Sequence, residues 1–362
     1  MPITFLIKFL NTELLTHKEL TMSNVYSAMV GSYPRPAGLA KLINRFNSGK
    51  ISSEDLELGY EKYTYRLLKF LTKLNIDYFT DGMLRWDDIF NPLINYVDGV
   101  KVNGLYRFYE NNFFFRAPQV VGKVRLMDDC PIPQWFKKSS EILESVIKEL
   151  GIKSRPVLKP VLPGPLTLAI NSLNERYSNM RELIGDYVFE VLTPLIKALR
   201  DLGAQVIEIH EPELTYGRVD PGLKCYVAGL LGRISYDLKI KLWIQTYFGS
   251  ASNALECFKF ISNNIVGIDL VASRDDYLNY IHNFSYYDSL AVGVYDSRST
   301  VLERSRIIRW YVAKFLKLRI GNLFIANNAP MDFIPEVIAV KKLRRLSKFT
   351  KWLKSKVGGV AR

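Results

Sequence analysis

Short apolar runs recur along the chain, and each stops at polar or small residues. Ile244 leads into Gln245-Thr246-Tyr247-Phe248-Gly249, and Gly267-Ile268 leads into Asp269-Leu270-Val271. Between them, a segment from Asn253 to Ser262 carries Leu255, Phe258 and Ile261 on one helical face. Strand, helix and strand in this short space predict a βαβ unit with parallel strands. The alternation extends both ways. Strands are predicted near residues 25, 77, 157, 206, 241, 266, 290 and 323, most of them separated by a helix. The first runs from Val25 to Val30 and ends in Gly31-Ser32-Tyr33-Pro34-Arg35-Pro36. Ser53 is expected to cap a helix from Glu54 to about Leu74, with Leu56, Tyr60, Tyr63, Leu67 and Phe70 facing inward. Residues 101–127 alternate around Asn111-Asn112, which predicts a hairpin insertion. Further helices are expected from Trp135 to Leu150, stopped by Gly151, and from Met180 to Leu202. Eight strand–helix repeats predict an α/β fold, a (β/α)8 TIM barrel with a hairpin insertion; a doubly wound sheet is the alternative.

Composition narrows the class. The chain has 362 residues, 48% of them hydrophobic, enough for one large core. No apolar run is long enough to span a bilayer. Residues 1–22 are expected to form an extension outside the barrel, with Met22 as an alternative start. Lys8 and Glu13 interrupt its apolar run, so it is not read as a signal peptide. The barrel itself is assigned to residues 23–340. Cys130, Cys225 and Cys257 are far apart and odd in number, a pattern expected of reduced thiols in the cytoplasm.

The net charge is +13, and residues 341–362 hold nine Lys or Arg with no acid. This basic segment reads either as a tail for an acidic partner or as a solvated helix with an apolar seam through Leu343, Leu346, Phe349 and Leu353. Because the charge sits in one segment, nucleic-acid binding is not expected.

Candidate chemistry lies where strands end, since barrel active sites are built there. Arg35, between two prolines, suits a carboxylate or phosphate, or a salt bridge in the rim. Arg85, Asp87 and Asp88 follow the second strand and suit polar contacts to a ring, or a local ion-pair network. His210 and Glu211 end the fourth strand, and such a pair can do acid/base work or serve the structure. Asp296 and Arg298 follow the seventh, as anion ligands or rim bridges. Trp86, Tyr247 and Tyr295 can stack on a flat ring or pack the core.

These strand ends resemble the cobalamin-independent methionine synthase family, over about residues 28–340. Gly31-Ser32-Tyr33-Pro34-Arg35, Gly49-Lys50-Ile51-Ser52, Pro163-Gly164-Pro165-Leu166-Thr167 and Glu211-Pro212 fit either of that enzyme's two barrels. Thr246-Tyr247-Phe248-Gly249, Asp269-Leu270-Val271, Gly293-Val294-Tyr295-Asp296-Ser297-Arg298 and Ile334-Pro335-Glu336 resemble its N-terminal barrel. The resemblance implies methyl transfer from a methylated folate or pterin to homocysteine. It also implies departures. Where the catalytic barrel binds zinc, this chain has Gln245, Tyr247, Val271 and Ala329. Two homocysteine-binding acids of that barrel fall on Met83 and His210. No zinc or other cofactor is therefore expected. The N-terminal barrel's tail-binding segment aligns with Ala37 to Lys41, where Lys41 keeps a charge. Ser32, Arg35, Lys41, Arg85, Asp87, Glu211, Tyr247, Asp296 and Arg298 are the implied substrate-binding residues. A free-standing, zinc-free barrel of this kind would have a zinc-containing catalytic chain and a methylpterin as partners. The alternative is a stand-alone enzyme or small-molecule binder that uses the same mouth without metal.

Overall fold

Strand runs that are apolar on both faces must be covered on both faces, and parallel strands joined by helices achieve this. A computed structural model describes residues 24–357 apart from Asn112 and Arg218. The strands are β1 (Asn24–Ala28), β2 (Tyr78–Phe79), β3 (Val97–Arg107), β4 (Phe114–Leu126), β5 (Val157–Leu158), β6 (Val161–Pro163), β7 (Leu173–Asn174), β8 (Val206–His210), β9 (Lys241–Gln245), β10 (Ile265–Asp269), β11 (Ser289–Tyr295) and β12 (Asn322–Asn327). All but β3, β4 and β7 belong to one parallel sheet. β1 pairs with β12 in parallel, from Asn24 opposite Asn322 to Ala28 opposite Ala326. This first-to-last pairing rules out a doubly wound sheet.

β5 and β6 are halves of one strand interrupted at Lys159-Pro160. β5 pairs with β2, and β6 pairs with β8. The interruption still bonds to both sides: the Lys159 amide donates to the Phe79 carbonyl at 2.9 Å, and the Glu208 amide donates to the Pro160 carbonyl at 2.9 Å. The sheet is thereby a ring of eight strand positions, each where the hydrophobic pattern puts one. Pro160 has no amide hydrogen to give, which accounts for the break in regular pairing.

Local boundaries differ from expectation where side chains decide them. The helix over residues 53–73 is capped by Ser52, not Ser53. Ser52 accepts from the Asp55 amide at 3.1 Å, and Asp55 accepts from the Ser52 amide at 3.3 Å. That reciprocal box needs an acid three residues after the cap, which Asp55 supplies. Its buried face centres on Thr64, Leu67, Leu68 and Leu71, with Tyr60, Tyr63 and Phe70 half-buried. The helix expected over 253–262 is instead three short turns from Ala251 to Ile261. Polar side chains there bond outside the segment: Asn253 donates to the Thr215 carbonyl at 2.8 Å, and Ser252 to Asp276 at 3.0 Å.

The antiparallel hairpin β3–β4 leaves the barrel as predicted, and β7 adds to it in parallel. The helix Glu336–Val357 buries Leu343, Leu346, Phe349 and Leu353 against the barrel. The proposed extension over residues 1–22 lies outside the described residues. No described helix is long and apolar enough to cross a membrane. The expectation of three unpaired thiols is corrected: Cys225 and Cys257 form a disulfide, and Cys130 is free. A separation of 32 residues says nothing about distance in space. Here the helical segments on either side of β9 lie together.

Inside the ring the lower layer is aromatic. Tyr26, Tyr78 and Trp243 pack around Phe324 with ring centres 5.1, 4.9 and 5.0 Å from it. The layer above, toward the mouth, is polar.

Candidate functional site

Side chains alternate along a strand, so residues two apart share a face and neighbours do not. On β8 this brings Glu208 and His210 together inside the barrel. Glu208 is wholly buried and accepts from three donors: the Lys159 ammonium, the Gly31 amide at 2.7 Å and the His210 Nε2 at 2.6 Å. Lys159, also wholly buried, further donates to the Met29 carbonyl at 2.9 Å and lies 4.6 Å from the Trp243 ring centre. Burial favours a neutral Glu208, but Lys159 and His210 together hold its carboxyl below the ordinary range. Burial pulls the Lys159 ammonium down, against the pull of Glu208. An ionised Glu208 requires His210 to carry its hydrogen on Nε2. His210 Nδ1 faces the Tyr247 hydroxyl at 3.3 Å. Gly31 has φ +69°, and a Cβ there would sit 2.8 Å from the His210 ring, so only glycine lets this amide reach Glu208.

The expected His210–Glu211 pair does not form. Glu211 points the other way, to the start of the helix Pro165–Ile170. It accepts from the Leu166 amide at 2.9 Å, the Thr167 amide at 2.7 Å and the Thr167 hydroxyl. Burial pushes its carboxyl up to about 8, although those donors favour the charged form. A Cβ on Gly164 would lie 2.3 Å from Glu211, so the Pro163-Gly164-Pro165-Leu166-Thr167 motif is the socket for this carboxylate. Asp269 plays a similar part. It accepts from the amides of Phe248 at 3.0 Å, Val271 at 2.9 Å and Ala272 at 2.9 Å, which ties two motifs together.

Above the polar layer lies a pocket of about 210 Å³. Ser32, Arg35, Trp86, Asp87, His210, Tyr247 and Asp332 line it, with Phe108, Phe113, Phe115 and Phe333 as apolar walls. Arg35 donates to the Trp86 carbonyl and stands 3.6 Å from Asp87. The hairpin forms the roof: Phe113 meets Phe333 at 4.6 Å, and Phe108 meets Phe248 at 6.2 Å between ring centres. Burial pushes the Asp332 carboxyl up to about 6, with Ser32, His210 and Arg35 pulling it down. Its Oδ1 is buried and has no hydrogen-bond partner. A buried acceptor left open suits a ligand N–H or ammonium.

Thus Ser32, Arg35, Asp87, His210 and Tyr247 converge, as does Trp86. Arg85 turns away, paired with Glu57 and lying 4.7 Å from the Tyr60 ring centre. Lys41 is exposed on the helix Ala37–Asn47. Asp296 lines a separate cleft of about 380 Å³, while Arg298 lies 4.9 Å from the Phe248 ring centre. Tyr295 is buried in the core. Asp88 accepts from the amides of Phe90 and Asn91 at 2.8 and 2.9 Å and shapes its loop. Three residues of the site were not singled out from sequence: Lys159, Glu208 and Asp332. The period of two signals Glu208 once His210 is suspected. Asp332 follows the last barrel strand, which is the signal that marks the other strand ends. Lys159 has no signal, since a lysine beside a proline reads as surface.

The chemistry of the mouth does not fit zinc. Gln245 is engaged through both amide atoms: its oxygen accepts from Trp243 at 2.8 Å, and its nitrogen donates to the carbonyls of Thr246 at 3.0 Å and Asn328 at 3.1 Å. Tyr247, Val271 and Ala329 offer no thiolate or imidazole. Among the described residues, no three His, Cys, Asp or Glu side chains are grouped to hold a metal.

Comparison with known proteins bears on the family and the fold. Residues 100–304 match the family model described as the cobalamin-independent synthase, N-terminal domain. The chain is 25% identical to the methionine synthase of Saccharolobus solfataricus over 329 residues, 90% of this chain and 93% of that protein. The methionine synthase of Sulfolobus acidocaldarius is 24% identical over 329 residues, 90% of this chain and 91% of that protein. A B12-independent methionine synthase from a Shewanella species, solved in complex with selenomethionine, shares the fold. Its TM-score is 0.74 at 17% identity, covering 92% of this chain and 98% of that one. With over half its length matched by the model and its motifs placed at the barrel mouth, this chain belongs to the cobalamin-independent synthase family.

Proposed function

We propose that the chain acts in methionine biosynthesis, in methyl transfer from a methylated folate or pterin to homocysteine. In this reading it is a zinc-free, N-terminal-type barrel of the cytoplasm that supports a separate zinc-containing catalytic chain. The observation that carries the proposal is the mouth itself. It keeps a roofed polar pocket, yet has Gln245, Tyr247, Val271 and Ala329 where thiolate activation would need metal ligands. Arg35 in the pocket, and Arg298 outside it beside Phe248, supply cations for an acidic pterin tail that extends from the mouth, and charge-assisted hydrogen bonds contribute roughly 1.5–3 kcal/mol each. The test is steady-state kinetics of both chains together, with one substrate varied at a time. Adding this chain should raise the activity of the catalytic one. Arg35→Ala or Arg298→Ala should raise the pterin KM by about tenfold or more and leave the homocysteine KM unchanged, since 1.4 kcal/mol is a factor of ten. No association at micromolar concentrations, or mutants that match wild type, would refute it.

One observation favours a second reading. The chain spans 93% of the S. solfataricus relative, and its pocket is completed by its own hairpin. A single barrel acting alone on its ligand would use His210, oriented by Glu208, and Asp332. Methyl transfer by this chain alone, after exhaustive chelation, would select that reading.

A further inference from the structure

The charge of this protein is not spread over it. Residues 301–362 hold 15 Lys or Arg against Glu303, Asp332 and Glu336, a surplus of 12; the total is +13, so residues 1–300 carry +1. Among the described residues, the fold gathers much of that surplus on one flank. The helix Ser305–Phe315 follows β11 and the helix Glu336–Val357 follows β12, and these strands are neighbours. The helices touch: the Arg309 guanidinium lies 4.1 Å from the Trp352 ring centre, and Arg345 donates to the Glu303 carbonyl at 2.6 Å. Arg306, Arg309, Arg344, Arg345, Lys348 and Lys351 are all exposed there. None of these six makes a salt bridge to a described acid. The cations that are neutralised, Lys342 with Glu303 and Lys354 with Asp77, are the ones turned inward or to the edge.

We infer that this flank binds the phosphate backbone of a nucleic acid. Charge confined to a tail argues against nucleic acid, but this segment packs on the barrel as a helix and presents its cations on one surface. On a 22-residue helix about 33 Å long, cations at 344, 348 and 351 recur every turn, forming a ridge that matches a repeating polyanion. A lipid surface is less well matched. The exposed large apolar residues of this region, Val301, Ile307 and Val337, lie at the mouth end, so none accompanies the ridge into a bilayer. The flank is separate from the pocket, so the inference stands independently of the proposed function.

The test is fluorescence anisotropy of the full chain with a labelled duplex of about 20 base pairs, roughly twice the half-site pitch of 10 base pairs. Binding should weaken steeply with salt, and log affinity should fall with a slope of about −3 to −5 against log salt. The triple variant R344Q/K348Q/K351Q should lose at least about tenfold in affinity, and its slope should shrink by about 2 to 3. A control variant, K101Q/K123Q/R125Q, removes equal charge from the hairpin and should bind like wild type. No binding at low salt, equal losses in both variants, or equal or tighter binding of phosphatidylserine vesicles or polyglutamate would overturn the inference.

Discussion

Two buried glutamates on the same turn of chain show opposite ways of keeping a carboxylate out of water. Glu208 lies inside the ring and is matched by a buried cation, a histidine and an amide. Glu211, three residues on, lies outside and is met by two amides and a hydroxyl at a helix start, with no cation. The first is held below the ordinary range, against burial, because a buried cation and a histidine hydrogen bond oppose its desolvation. The second is pushed up to about 8 because desolvation outweighs dipoles. The lesson is that adjacency in sequence is a poor guide to partnership at a strand end, where facing decides.

The strongest way to break the comparison is to remove the cation. Lys159→Met leaves Glu208 buried beside His210 without its counter-charge. It should cost about 3–5 kcal/mol, read as a lowered denaturant midpoint with unchanged slope. A change under about 1 kcal/mol would mean that the interior tolerates the anion without Lys159.

A smaller effect sharpens it from the other side. Glu211 binds its proton more tightly folded than unfolded, with the native carboxyl at about 8 against an ordinary 4.5. Its contribution is therefore fully present below the ordinary value and is lost as pH rises toward 8, on the order of a few kcal/mol. Glu211→Gln should flatten the fall in stability between those values, measured by melting at a series of pH values. An unchanged slope would show that the helix start keeps Glu211 ionised throughout.

Asp332 stands between the two cases, bonded to Ser32 and influenced by His210 and Arg35, with its other oxygen open to the pocket. Asp332→Asn should change stability by less than about 1 kcal/mol. It should also remove any dependence of pocket-ligand affinity on a group titrating near pH 6, followed by calorimetry. A loss of several kcal/mol in stability would assign Asp332 to the frame instead.

The barrel was legible because its strands are mostly apolar and its breaks are glycine, proline and polar residues. The same pattern located Arg35, Asp87, His210 and Tyr247, which do meet at the mouth. What it could not show was which polar side chains face inward together. Lys159 sits in a two-residue gap between half-strands, and only the closed ring makes that gap interior. Arg85 carried the right chemistry in the right loop but found Glu57 first. The Cys225–Cys257 bond depends on how helical segments pack around β9, which no spacing rule encodes. In sequence the C-terminal segment is charge along a line with an apolar seam, and folding turns the charge into a face.

Closing the ring through β1 and β12 also has a consequence for synthesis. Val30 donates its amide to the Asn327 side chain at 2.9 Å across a sequence separation of 297. One edge of β1 can find β2 early, but the other has no partner until the last strand has left the ribosome. At about 5–20 residues per second, that is roughly 15–60 s with an open strand edge. A nascent chain of this length with an unprotected edge invites pairing with its neighbours on the same message. Production of the protein should therefore depend on whatever shields emerging chains, and slowing the final codons should lower the soluble yield more than slowing the first.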